Sequence, residues 1–143
     1  MKIIVGSDHG GFELKEKIVK FLEEQGYDFH DVGTYSQEAC DYNDSATKVA
    51  KAVVSGEYDR GITFCGTGIG SSIQVNKFKG IRGALVHDLF TAKATREHND
   101  SNILTLGGRI IGDELAKAIV DVWLTTEFSN EERHKRRISK IEE

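Results

Sequence analysis

Proline is absent from the 143-residue chain. No turn can rest on a cis-proline, so loop stiffness has to come from packing and hydrogen bonds. Cysteine is scarce: Cys40 and Cys65 are the only two. That is too few for a disulfide framework and points to a reduced, cytoplasmic protein. Long apolar runs are missing. Nothing approaches the roughly 20 residues of a membrane span, and Met1-Lys2-Ile3-Ile4-Val5-Gly6 is too short for a signal peptide. Positive charge is not in excess, since the formal net charge is −4. This argues against nucleic acid as the main partner and requires any phosphate site to be a local cluster of Arg and His. No Cys/His spacing fits a zinc site, and there is no G-x-x-x-x-G-K-S/T phosphate loop. Repeats, low-complexity runs and linkers are also absent. With 38% hydrophobic and 29% charged residues, residues 1–143 are expected to form one soluble domain with room for a sizeable core.

What is present centres on Phe64-Cys65-Gly66-Thr67-Gly68-Ile69-Gly70-Ser71-Ser72. The preceding Gly61-Ile62-Thr63-Phe64 reads as a buried strand, and Ile73-Gln74-Val75-Asn76-Lys77 can continue as helix. Cys65 therefore stands where a strand ends and a glycine turn begins. Alternating glycines let backbone N–H groups approach a phosphate or a developing oxyanion. The plainer reading is a tight turn with a small buried thiol. The loop is not G-x-G-x-x-G, because Ser71 occupies the last glycine position, and Ser71 and Ser72 lack the G-x-S-x-G elbow of a hydrolase nucleophile.

Along the chain, strands are expected at Lys2–Gly6, Phe29–Val32, before Cys65, at Ile81–Val86 and at Asn102–Leu106. Leu14, Ile18, Phe21 and Leu22 mark one helical face, with Gly26 as its stop. Ala46, Val49, Ala50 and Val53 mark another helix, with Asp44 or Ser45 able to cap it. Helices are also expected over Leu89–Glu97, around Leu115, Ile119, Val122 and Trp123, and in the charged tail from Ser129 to Glu143. Strands alternating with helices imply a parallel sheet covered on both faces, with ligands beyond the carboxyl ends of the strands. The reading is a Rossmann-like α/β/α sandwich with five parallel strands, plus a charged C-terminal helix. If the first and third strands are neighbours, Asp8 and His9 face Cys65 across one crevice.

Each remaining constellation has a plain alternative. Asp8 is a good helix cap. His98 lies near a helix C-terminus, where a cation is favoured without any catalytic role. Arg133 and Arg137, four residues apart, suit a phosphate monoester, yet Glu131, Glu132, Glu142 and Glu143 flank the run and permit simple surface neutralisation. His87 and Asp88 follow the fourth strand and carry no specific expectation.

Taken together, Ser7-Asp8-His9-Gly10-Gly11-Phe12, Asp41-Tyr42, the Cys65–Gly70 loop, Asn76-Lys77, Gly80-Ile81-Arg82, His98-Asn99-Asp100, Gly108-Arg109 and Arg133–Arg137 resemble the ribose-5-phosphate isomerase B family, which includes allose- and galactose-6-phosphate isomerases. The motifs run nearly end to end, in the family's order. The resemblance implies a cofactor-free aldose–ketose isomerase of phosphorylated sugars. It implies that Cys65 is the base moving a proton between C1 and C2, supported by Thr67. The N–H groups of Gly66, Gly68, Ile69 and Gly70 would hold the enediolate oxygen. Asp8 would handle hydroxyl protons, and His98 would open the furanose ring. His9, Arg109, Arg133 and Arg137 would hold the phosphate, while Tyr42 and Asn99 line the sugar. Some members use a glutamate where this chain has Ser71, so this sequence resembles the cysteine type. Asn43 stands where the family usually has proline.

The chemistry agrees independently. A C–H beside a carbonyl is weakly acidic, so an enediolate needs preorganised donors. A free thiol has a pKa near ~8.5, so a cysteine base needs a neighbouring hydroxyl, dipole or charge. The expected reaction is interconversion of ribose 5-phosphate and ribulose 5-phosphate. A hexose 6-phosphate is the alternative substrate, and a phosphate- or nucleotide-binding regulatory module is the alternative class. The resemblance further implies a homodimer or a dimer of dimers. His98 lies before the fifth strand and Cys65 after the third, so each site is expected to be shared between two subunits.

Overall fold

The computed structural model describes residues 1–143. The elements are β1 (Lys2–Ser7), α1 (Phe12–Glu24), β2 (Asp28–Asp31), α2 (Tyr42–Val54), β3 (Arg60–Cys65), α3 (Ile69–Val75), β4 (Gly83–Leu85), α4 (Leu89–Asn99), β5 (Ile103–Gly107), α5 (Asp113–Thr125) and α6 (Glu132–Ile141). The five strands form one parallel sheet in the order β2-β1-β3-β5-β4. β1 and β3 are neighbours, as a shared crevice requires.

Both faces of the sheet are buried because consecutive strand residues point to opposite sides. Ile3 and Val5 pack with Leu14, Ile18 and Leu22 of α1 and with Ile119 and Trp123 of α5. Ile4 and Ile103 pack on the other face with Val49 and Ala50 of α2 and Val75 of α3. Each such aliphatic side chain contributes about 1.5–3 kcal/mol on burial. The helix after β1 covers one face and the helix after β3 covers the other, so the chain parts between them and leaves a crevice at their carboxyl ends.

Several boundaries shift by a few residues from the sequence expectation, and those of α2, α3 and β4 bear on the site. α2 begins at Tyr42, ahead of Asp44 and Ser45; Asp41 is its extended N-cap residue and makes no side-chain capping bond. Asn43 falls in the first turn, where proline is also tolerated, and its amide donates to Gln74 Oε1 at 2.8 Å. α3 begins at Ile69, directly after Gly68, whose φ of +78° turns the chain into the helix. A Cβ at Gly68 would also lie 2.6 Å from Leu85 Cδ1, so the position is closed to other residues twice over. β4 is shorter than Ile81–Val86, because the Arg82 N–H is taken by the Asn102 side chain at 2.9 Å and the Ile81 N–H by the Phe78 carbonyl at 3.1 Å.

Two basic side chains organise the periphery. Lys15 is fully buried and pairs with Asp31 at 2.9 Å, tying α1 to the end of β2. Arg82 donates to the carbonyls of Asn99 at 2.9 Å and Asp100 at 3.0 Å, and to Glu142 at 2.5 Å. It thus joins the end of α4 to the end of α6.

Candidate active site

Cys65 is the last residue of β3 and is buried. Its backbone is held from both sides. The Asp8 N–H donates to the Phe64 carbonyl at 3.2 Å, and the N–H groups of Gly108 and Arg109 donate to the carbonyls of Cys65 and Gly66 at 2.8 and 3.0 Å. The ends of β1, β3 and β5 are thereby brought into one cluster.

Within the loop, the Gly68 N–H donates to Cys65 Sγ at 3.1 Å. The thiol support expected from Thr67 is thus supplied by the next residue's backbone. Thr67 is exposed and its Oγ1 accepts the Ile69 N–H at 3.2 Å. The amides of Gly68 and Ile69 are engaged inside the loop, whereas those of Gly66, Thr67 and Gly70 have no partner in the chain. They remain available as donors.

The surrounding side chains converge on this loop. The Tyr42 ring covers Gly70, where an added Cβ would lie 2.6 Å from Cε1. The Arg109 guanidinium covers Gly66, where a Cβ would lie 3.0 Å from Nη1. Asp8 is buried, and its Oδ1 accepts the Gly11 N–H at 3.0 Å; its capping role uses one oxygen and leaves the other. His9 accepts the Cys40 N–H on Nδ1 at 3.2 Å. Its neutral ring therefore carries the proton on Nε2. His9 and Arg109 line a cleft of about 310 Å³ together with Glu13 and Gln37; the Gln37 amide donates to the Glu13 carboxylate at 2.7 Å, so the His9 Nε2–H and the Arg109 guanidinium are the donors that suit an anion there.

His87 is a residue the sequence offered no role for. Its Nε2 accepts the Gly107 N–H at 3.0 Å, and Gly107 is the register partner of Cys65. Accepting that bond requires the neutral ring, and burial holds His87 below its ordinary 6.5. Only its place after a strand hinted at this.

His98, Asn99, Arg133 and Arg137 lie elsewhere. His98 and Asn99 are the last two residues of α4, at the amino-terminal edge of the sheet, and both are exposed. The His98 and His134 rings are in contact, with centroids 4.6 Å apart and planes at 37°. Arg133 and Arg137 are exposed on α6, and Arg133 pairs with Glu131 at 2.9 Å. A cleft of about 420 Å³ beside β4 reaches Asn99 and Ile141 but none of the Cys65 cluster. The expected site residues thus fall into two groups in one chain: Asp8, His9, Tyr42, the Cys65 loop and Arg109 at one edge, and His98, Asn99, Arg133 and Arg137 at the other.

The model of a family described as ribose/galactose isomerase matches residues 3–141. The chain belongs to the ribose/galactose isomerase family. Among this isomerase's relatives, a putative sugar phosphate isomerase of Bacillus subtilis is 54% identical over 99% of this chain and 95% of its own. The ribose-5-phosphate isomerase B of Escherichia coli is 48% identical over 98% and 93%. A solved structure of Clostridium thermocellum ribose-5-phosphate isomerase B superposes with a TM-score of 0.97 at 53% identity, covering 99% of this chain and 95% of that one. Family members at 39–40% identity are named for other sugars, including a D-erythrulose-4-phosphate isomerase and a 4-deoxy-4-sulfo-D-erythrose isomerase. The protein is a sugar-phosphate isomerase with the five-stranded α/β fold of this family.

Proposed function

We propose that this isomerase interconverts ribose 5-phosphate and ribulose 5-phosphate through an enediolate, without a metal or cofactor. The observation that carries the reading is the Gly68 N–H on Cys65 Sγ beside the unpartnered amides of Gly66 and Gly70. That N–H is placed to donate to the sulfur when it is a thiolate, the form that acts as a base. Donors already in place stabilise the oxyanion without reorganising during the reaction.

In this reading His98 assists opening of the furanose ring. The Cys65 thiolate then takes the C2 proton of the aldose, and the electron pair moves to O1 to give the enediolate. The loop amides hold that oxygen, Asp8 passes the hydroxyl proton between O2 and O1, and the Cys65 thiol returns its proton to C1. His9 and Arg109 meet the phosphate from one chain, and Arg133 and Arg137 meet it from a second copy. The two-copy arrangement follows from the separation of the two groups, because a two-fold interface can pair the opposite edges of two chains reciprocally. A dimer suffices; a dimer of dimers is equally compatible.

Relatives named for four-carbon sugars, and the galactose in the family's description, favour a second reading in which the carbon count differs. Tyr42 over Gly70 and the buried Ser71 bound the space that decides it. The test is a kcat/KM panel on four-, five- and six-carbon aldose phosphates, including allose and galactose 6-phosphates. Ribose 5-phosphate should rank first; a higher value on another sugar transfers the assignment to that sugar. Absence of turnover on the whole panel, with sugar phosphate still bound, would favour the binding-module reading.

A further inference from the structure

His134 is the only residue of α6 whose side chain is buried. Its ring packs against the His98 ring at 4.6 Å, with the Phe128 ring 6.5 Å away. Its Nδ1 shares a hydrogen bond with Ser129 Oγ at 2.7 Å, and the Ser129 N–H donates to the Glu97 carbonyl at 3.2 Å. The clamp on His134 is therefore fastened to α4 one residue before His98. His98 itself is exposed, and none of its ring nitrogens has a hydrogen-bond partner in the chain. The His134 ring is in direct contact with it.

The groups facing His134 are His98 from α4, Arg133 and Arg137 from its own helix, and Glu131, whose Oε2 is 3.8 Å away. Burial, followed by the positive charge of His98 and Arg133, holds His134 below its ordinary 6.5. A neutral ring can lie against a His98 that gains and loses a proton, whereas a charged one would repel it.

We infer that His134 is a positioning residue that holds the His98 imidazole in the orientation needed to open the sugar ring, acting through ring contact and its Ser129 anchor. The inference rests on the reading of His98 as the ring-opening group. In that step the O1 proton leaves, the C1–O4 bond breaks, the C1 carbonyl forms and O4 gains a proton; no other reactant is consumed. Ribulose 5-phosphate has no free hydroxyl able to close a furanose, so its reaction at C1 bypasses this step.

The experiment measures two rates in the full-length enzyme: turnover of ribose 5-phosphate, and solvent-deuterium exchange into C1 of ribulose 5-phosphate. His134→Ala should lower kcat on ribose 5-phosphate about tenfold or more and leave the exchange within about twofold of wild type. His134→Phe, which keeps the ring contact, should recover part of the loss. It also serves as the folded comparison if the alanine variant is unstable. Equal losses in both rates for both variants would make His134 merely structural and overturn the inference. The parallel measurement on His98→Ala separates the two levels. If His98→Ala slows both rates equally, the ring-opening reading fails. If it is selective for ribose 5-phosphate and the His134 variants are not, the inference alone fails.

Discussion

Cys65 and His98 stand at opposite edges of one sheet. Cys65 is in register with Gly107 at the end of β5, while His98 lies in the last turn of α4, whose chain enters β5 at Ile103. Four residue steps of parallel strand separate those ends by about 13 Å. Two groups assigned to successive steps on one small sugar are thus kept apart within a single chain. The shared-site model turns this separation into a subunit requirement.

That model predicts complementation. Cys65→Ala and His98→Ala, each inactive alone, should regain activity when unfolded together and refolded. In a mixed dimer one site carries both lesions and the other carries neither, so random pairing restores about one quarter of wild-type activity. Demonstrated heterodimers without activity would place both residues in one chain's site.

Cys65→Ala by itself should abolish turnover while the folded protein still binds sugar phosphate by calorimetry, because the amides of Gly66 and Gly70 and the Arg109 guanidinium do not depend on the thiol. In wild type the rise of kcat/KM with pH should report the thiol's ionisation. Near-normal turnover in the alanine variant would remove Cys65 from the mechanism.

Arg137 is exposed and has no ion-pair partner in the chain. If it meets the phosphate across an interface, Arg137→Ala should raise KM about tenfold or more, since a charge-assisted hydrogen bond is worth roughly 1.5–3 kcal/mol. Steady-state kinetics on ribose 5-phosphate decide it; an unchanged KM would return Arg137 to the solvated helix surface.

Stability should fall on the acid side of neutrality. His87 and His134 both titrate below their ordinary 6.5 when folded, chiefly because of burial. The unfolded chain then binds more protons than the native one below about pH 6.5. Their contribution is complete above that pH and is lost as the pH falls through it toward the folded values. Melting temperature measured from about pH 7 to pH 5 should drop more steeply for wild type than for a His87→Asn/His134→Phe variant. Equal slopes would show that neither histidine couples folding to protons.

Much of this molecule follows from local pattern. The period of Leu14, Ile18 and Leu22 fixes α1, and Gly26, with φ of +77°, stops it. The apolar run before Cys65 places the thiol at a strand end, and the motifs place the chain in its family. These features are legible because helix and strand periods, glycine conformations and turn chemistry act over a few residues. The neighbourhood of residues distant in the chain is not encoded at that range. Nothing near Lys15 announces that Asp31 will let it be fully buried, nothing near His87 announces the Gly107 N–H, and nothing in the charged tail announces that His134 turns inward against His98. Those contacts are set by which strands pair and which helices cover them, a choice made by the burial of the two apolar faces as a whole. Sequence determined the chemistry this protein carries; the strand order β2-β1-β3-β5-β4 decided which residues meet and which are held apart.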